Sequence, residues 1–389
     1  MSNNDNKIDD KNRNVPALRF EGFTDPWVQC KLSEIVKPIR RKNKNNEANI
    51  PLTISDIYGI IDQRDYFNRQ VASKDLSNYT LLLNGDFAYN KSYSTNNHFG
   101  TVARLDNYES GALSTLYITF RPQFILSDFL MFYYKSSKWH EEIYKIAAEG
   151  ARNHGLLNIF TDDFFSTKLI IPREDLEQDK ISKLLLSLDS LITLEQEKLE
   201  QQKLFINEIF SNLIKVRSNE WTEVHLSEIV NIKKGEQIKS EDIDDKGEYY
   251  HLNGGIEPSN YTNKYNRPEN TISISEGGNS CGFVKWNEEK FWSGGHNYTL
   301  EITKKIEPYF LFTVLKLNQK QIERLRVGSG LPNIQKKDLE RMKIKIADYS
   351  EQMKISNIYR YIDYYFNQKE EYITTLEKLK QYLLQNLFA

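Results

Sequence analysis

Apolar residues recur at alternating steps of three and four in two segments of the chain. In the first, Ile181, Leu185, Leu188, Ile192, Leu199, Ile206, Ile209 and Leu213 form one seam, with the polar Glu195 and Gln202 in phase with it. In the second, the same register gives Ile355, Tyr359, Ile362, Phe366, Ile373, Leu376, Leu383 and Leu387, interrupted by Lys369 and Lys380. Sustained over about five heptads, such a seam predicts a coiled coil rather than the broader stripe of a globular helix. Neither segment has an internal Gly or Pro, so each predicts a helix of about 37 residues, roughly 55 Å long. Antiparallel packing of the two would set Glu195 against Lys369 at mid-seam, where an isolated polar pair fixes register.

The segments before these helices repeat. WVQCKLSEIV at 27–36 returns as WTEVHLSEIV at 221–230, so that Trp27 and the LSEIV run are displaced by 194. Asn158 and Ile159 match Asn333 and Ile334, displaced by 175; Glu177, Gln178, Lys180, Ile181 and Ser182 match Glu351, Gln352, Lys354, Ile355 and Ser356, displaced by 174. The second copy is therefore about 20 residues shorter, and the deletion falls where the copies look least alike. Constant rims around divergent middles predict a scaffold that presents two different specificities.

Each middle reads as a mixed α/β domain. Strands are expected at 81–83, 86–89, 101–105 and 116–120 in the first copy, and at 272–274, 283–286 and 298–302 in the second. A helix capped by Ser127 is expected to run towards Ala148, and another from Pro308 to Arg326. Both are followed by a glycine loop, Asn-Ile, a short helix and a strand (168–171 and 343–346). The fold class is thus mixed α/β: two pseudo-symmetric domains separated by two long antiparallel helices. The expected segments are a disordered tail at 1–14, domains at 15–174 and 218–348, and long helices at 175–217 and 349–389.

Composition narrows the function classes. With 389 residues, 39% hydrophobic and 27% charged, the chain has the make-up of a soluble multidomain protein. No apolar run reaches 18 residues, and the polar opening MSNNDNKIDDKNRN has no apolar core of a secretory signal. Cys30 and Cys281 read as two reduced thiols, which with the missing signal predicts a cytoplasmic protein. No Cys/His pair stands at ligand spacing, so no metal site is expected. A net charge of -2 means that affinity for nucleic acid must come from local basic patches or from a partner that shares the phosphates.

Catalytic signatures are missing. There is no P-loop, no G-x-S-x-G, no H-E-x-x-H, and no Asn-Pro-Pro-aromatic tetrapeptide that grips a flipped adenine. The GSG at 328–330 follows a helical pattern and is expected to end that helix rather than to bind a dinucleotide. No catalytic residue is assigned, and the chain is expected not to be an enzyme by itself.

Binding chemistry is better represented. Lys37, Arg40, Arg41, Lys42 and Lys44 form a basic run suited to phosphate. Asn90, Lys91, Tyr93, Asn96 and Asn97 crowd one polar loop, and Arg152, Asn153 and His154 another; amide groups can read adenine, and Lys or Arg guanine. The second copy offers Asn253, Asn279, Lys285, His296, Asn297 and Tyr298 among glycines that admit close backbone approach. The helix-seam residues Leu188, Ile192, Glu195, Ile362, Phe366 and Lys369 complete the candidate set.

Taken together, LRFEGFTDPWVQCKLSEIV, EGARNHGLLNIFTDDFF, the paired helices and GGHNYTL resemble the specificity subunit of type I restriction–modification enzymes, over residues 15 to 389. The resemblance implies two target-recognition domains, each reading half of an interrupted sequence in double-stranded DNA, with the helices as spacer. It implies two methyltransferase subunits that use S-adenosylmethionine, and restriction subunits that use ATP and Mg; this chain would bind no cofactor itself. A non-catalytic coiled-coil scaffold whose two domains bind protein or carbohydrate is the alternative.

Overall fold

The computed structural model describes residues 14–67, 73, 75–92, 97–147, 157–328 and 330–389. The expected tail at 1–14 falls almost wholly outside them. The chain divides into two compact units, Met1–Glu195 with Ile373–Ala389, and Gln196–Tyr372. The long helices, Asp175–Arg217 and Tyr349–Asn386, are each shared between the units. The first has the bounds expected for it and the second stops at Asn386, short of the expected 389; at 43 and 38 residues both exceed the length read from the seam. The first turn of each carries no residue in phase with the seam, Leu176 and Tyr349 being exposed, so periodicity cannot see it.

In the first unit, one antiparallel sheet has the order Val36–Pro38, Ile118–Pro122, Phe87–Asn90, Thr101–Arg104. A second sheet, Gly59–Asp62, Pro51–Ser55, Ser110–Leu113, Thr80–Leu83, lies beside it and shares a core of Leu52, Ile54, Leu82, Ala88 and Leu113. The larger core joins Phe87, Phe120, Phe129 and Phe164 to Trp27, and draws Leu384, Leu387 and Phe388 from the end of the second long helix. Phe388 is fully buried, its ring 5.2 Å from that of Phe129.

The second unit repeats the first sheet as Val230–Lys234, Asn297–Ile302, Thr271–Ser275, Val284–Asn287. Its other sheet is small: Asn260–Thr262, Tyr249–Leu252 and Trp292–Ser293. The missing fourth strand corresponds to the shorter second copy.

The repeated rims build the same clasp twice. Val28–Lys31 pairs antiparallel with Lys168–Ile171, and Thr222–His225 with Lys343–Ile346. Leu32 and Leu226, both fully buried, donate their amides to Thr167 and Met342 at 2.9 Å each. Trp27 Nε1 donates to Glu177 at 3.2 Å and Trp221 Nε1 to Glu351 at 3.1 Å. Gln178 accepts the amide of Leu126 at 3.0 Å, and Gln352 that of Glu307 at 2.9 Å. Leu126 and Glu307 are the N-cap residues of the helices Ser127–Lys135 and Pro308–Leu317. Each glutamine therefore satisfies an amide at a helix start that would otherwise be buried unpaired, tying the domain to the base of its long helix.

Several local expectations are corrected. Ser127 is the first helical residue rather than the cap, and its hydroxyl accepts from Arg104 at 3.0 Å. The expected helix from 127 to 148 breaks after Lys135 and resumes at His140–Ile146, where Trp139 Nε1 donates to the carbonyls of Tyr134 and Ser136. The helix from Pro308 ends at Leu317, with Asn318 bonding back to Val314, and a further turn at Gln319–Glu323 stops before GSG. Each LSEIV run is a single helical turn that leads into a strand.

Within the first unit the long helices run antiparallel, with Leu188, Ile192 and Leu376 buried together and Leu383 packed on them. Lys380, which breaks the expected seam, instead reaches Asp189 at 2.5 Å. Within the second unit they are again antiparallel: Phe210 meets Tyr359 at 5.2 Å and Arg217 meets Glu351 at 2.9 Å. Here the seam slips by one position. Ile209 and Leu213 are exposed, while Phe210 is buried and Ile206 and Ile214 pack on the core. A 3.6-residue helix drifts against a strict heptad, which accounts for the slip. Phe366 is buried; Ile362, Glu195 and Lys369 are half-buried, Glu195 in the first unit and Lys369 in the second.

Candidate nucleic-acid interface

In the first unit the basic run leaves the sheet edge at Val36–Pro38 and turns at Lys44–Asn46, where Asn45 and Asn46 adopt φ of 59° and 53°. The turn is held by buried Asn43, whose side chain accepts from Ala48 at 2.8 Å and donates to Ala48 and Leu76 carbonyls. Arg40 and Lys44 are exposed, and Lys42 is exposed with its ammonium on the Asn78 carbonyl at 2.9 Å. Arg41 is different. It pairs with fully buried Asp86, which also takes Arg121 at 2.5 Å. Burial, and then the neighbouring Arg121, lower the Arg41 pKa. Lys37, Arg40, Arg41 and Arg121 line a groove of about 370 Å³. Arg121 could not be found from sequence spacing, because only the pairing of Lys37 with Arg121 across the sheet brings it there.

Asn90 ends a strand, and its side chain accepts the Ser92 amide at 3.0 Å; Lys91 donates to the Ile159 carbonyl at 3.3 Å. Asn97 donates to Thr101 at 2.6 Å and lies on the wall of a cleft of about 770 Å³ with Asp56, His140 and Lys380. His140 stacks on Phe99 at 4.3 Å, and burial lowers its pKa. Tyr93, Asn96, Arg152, Asn153 and His154 lie outside the described residues.

In the second unit the glycine-rich segments meet at one end of the sheet. Asn253 accepts the His296 amide at 3.2 Å, His296 is exposed, and Asn279 is exposed beyond Gly278. Lys285 donates to the Ile256 carbonyl at 2.9 Å over the Tyr250 ring, and burial lowers its pKa against an opposing pull from Glu257. His251, almost fully buried, sets Nδ1 2.7 Å from Asn260 Oδ1, and burial lowers its pKa. A Cβ on Gly294 would come within 2.5 Å of His251 Nε2, so only glycine fits there.

Two expected ligand-facing residues are structural instead. Asn297 is 1% exposed and donates to Ser293 at 3.1 Å. Tyr298 is 4% exposed, with its hydroxyl bonded to Glu276 at 2.9 Å. Both are strand residues whose polar tips point inwards, an arrangement that the run HNY does not reveal. Conversely Lys234 and Glu276, missed in the sequence, stand at this site 2.7 Å apart.

Residues 218–381 match the type I restriction modification DNA specificity domain. A putative type I specificity subunit from Mycoplasma genitalium is 32% identical over 180 residues, 45% of this chain and 47% of that protein. Its counterpart from Mycoplasma pneumoniae is 31% identical over 45% of this chain and 48% of its own length. The chain thus spans about half the length of these curated relatives. A putative type I restriction enzyme MjaX specificity subunit from Methanocaldococcus jannaschii is 24% identical, covering 97% of this chain and 96% of its own. Similarity to type I specificity proteins thus rests on the matched domain at 218–381 and extends along nearly the whole chain only at 24% identity. Solved structures carry the same fold through both copies. The crystal structure of the S subunit of a Mycoplasma genitalium type I restriction–modification system superposes with a TM-score of 0.59 at 20% identity, over 96% of this chain and 99% of that one. A chain from a study of complex assembly and conformational transition of the type I system gives 0.54 at 16% identity, over 93% and 97%.

Proposed function

We propose that this chain is the DNA sequence-specificity subunit of a type I restriction–modification complex, reading a bipartite interrupted target with one domain per half-site. The observation that carries this is the duplicated clasp. The same Trp–Glu bond and the same Gln-to-helix-start bond hold two domains whose second sheets differ, with four strands in one and three in the other. A constant mount with different furnishings is what independent reading of two half-sites requires.

The first domain supplies exposed Arg40, Lys42 and Lys44 for phosphate, and Lys91 and Asn97 at a loop suited to base edges. The second supplies Asn279, His296 and Lys234. The long helices carry exposed apolar side chains, among them Leu191 and Leu194 on the first helix and Tyr361 and Tyr364 on the second. Such faces suit docking of methyltransferase subunits, and through them of restriction subunits. Chemistry would reside in those partners, with S-adenosylmethionine, ATP and Mg as their cofactors, in the cytoplasm. Among the described residues no helix is long and apolar enough to cross a membrane.

Co-expression with the cognate adenine methyltransferase subunit, followed by sequencing-based mapping of methylated adenines, tests the proposal. A single interrupted motif that disappears when this chain is omitted is the expected result. A stable complex that leaves DNA unmethylated, or no complex at all, would overturn it.

A further inference from the structure

Three neighbouring strands of the second unit bring four side chains together at one end of its sheet. Lys234 closes the first strand, Glu276 follows the third, and Tyr298 with His296 lies at the start of the second. Glu276 Oε1 accepts from Lys234 Nζ at 2.7 Å and from the Tyr298 hydroxyl at 2.9 Å. Its Oε2 has no hydrogen-bond partner among the described residues and faces His296 Nδ1 at 4.0 Å. The carboxylate side chain is 9% exposed, whereas those of Lys234 and His296 are 53% and 65% exposed. A buried carboxylate must be paired, so the ammonium is held in place from behind rather than swinging free as on most surface lysines.

This arrangement favours a base edge over a phosphate. The Lys234–Glu276 pair is neutral as a unit, so it releases little counterion charge on meeting a phosphate. The ammonium nevertheless keeps two N–H donors for a partner with two adjacent acceptors. In the major groove that partner is guanine, through O6 and N7.

The first unit carries no such device at the equivalent positions. Phe87 and Ile272 stand opposite Phe120 and Leu300, which in turn face Pro38 and Ile232. Counting along these strands aligns Arg40 with Lys234, Lys91 with Glu276 and Ile118 with Tyr298. A lysine replaces the carboxylate, and an isoleucine replaces the phenol.

Building on the DNA-reading function above, we propose that Lys234 reads a guanine in the half-site assigned to the second unit, with Glu276 as its positioning residue. The test uses the full chain co-expressed with its methyltransferase subunit, and adenine methylation mapped on the host chromosome. The unsubstituted chain must first yield a bipartite motif; if it does not, the underlying function fails independently of this assignment. Lys234→Gln is expected to make one guanine in one half-site degenerate, lowering discrimination there by about 5- to 150-fold, the worth of one bidentate base contact. Glu276→Gln keeps an acceptor for Tyr298 but removes the charge, and is expected to relax the same position alone. Lys234→Arg, which retains a donor fork, is expected to restore the guanine. A motif unchanged in both glutamine variants, or methylation falling equally at every site, overturns the proposal; the latter is the mark of a phosphate contact or of a purely structural role.

Discussion

The two clasps are chemically alike but differ in exposure, and that difference sets unequal costs for the same substitution. Glu177 is 2% exposed and accepts three hydrogen bonds, at 2.7 and 3.0 Å from Arg19 and 3.2 Å from Trp27. The Arg19 side chain is itself only 14% exposed. Glu177→Ala leaves the guanidinium with only the Asp25 carbonyl and the indole N–H with no acceptor, where water has little access, which costs about 3–5 kcal/mol. At the second clasp Glu351 is 20% exposed and Arg217 60% exposed. Water takes over the arginine there, and the loss reduces mainly to the Trp221 bond and the desolvated part of the pair, about 1–2 kcal/mol. Hydrogen exchange across a denaturant series measures each unit separately, as a chain of two units requires. Strands 87–90 and 118–122 report on the first, and strands 271–275 and 297–302 on the second. Glu177→Ala should destabilise the first pair of strands by about 2–3 kcal/mol more than Glu351→Ala destabilises the second. Equal losses would show that solvent exposure does not govern these clasps.

Other outcomes follow from the same geometry. Arg40→Ala, at an exposed arginine in the basic groove, should lower the slope of log affinity against log salt by about 0.9 if it contacts one phosphate; a filter-binding or anisotropy titration of the assembled complex at several salt concentrations checks this. Leu188→Pro and Ile362→Pro interrupt the long helices at seam positions and should each cost about 3 kcal/mol or more, read as loss of helical circular dichroism and of methylation; full retention of both would remove the structural role of the seam. Burial lowers the Lys316 pKa to about 8, against the opposing pull of Asp363 and Glu323. Between that value and the ordinary lysine range the unfolded chain holds more protons, so the second unit should gain stability as pH rises from about 8 towards 9.5. In Lys316→Met that rise should vanish, and exchange-detected unfolding at pH 7.5 and 9.5 compares the two.

Much of the architecture was written in local patterns. The heptad seam and the absence of Gly and Pro marked both long helices, and the LSEIV repeat marked the clasps. The strand 168–171 and its copy at 343–346 were legible because an apolar run follows a short helix in both. What escaped was anything fixed by pairing across distance. The strand at Pro51–Ser55 is buried along its whole length and shows no alternation. The break after Lys135 depends on the indole of Trp139 reaching back to two carbonyls. Among the candidate residues, Arg40, Lys44 and Asn279 are exposed, as their type and loop context suggested. Arg121, Lys234 and Glu276 were not legible, because each gains its meaning from a strand partner far along the chain. Asn297 and Tyr298 misled for the converse reason: polar groups that can read a base can equally satisfy a sheet interior.

The first unit owes its core to residues on either side of the second. Leu384, Leu387 and Phe388 pack among Phe129, Tyr133 and Leu130, and the whole of 196–372 intervenes before they are reached. The second unit is continuous in sequence and needs no such return. Closing a long loop before its contacts repay the lost entropy is slow. On a nascent or refolding chain the second unit can therefore acquire protected amides while the first still exposes the aromatic surface that Phe388 covers. A kinetic intermediate with one finished domain and one sticky domain is the expected species, and chaperone dependence should concentrate on the first.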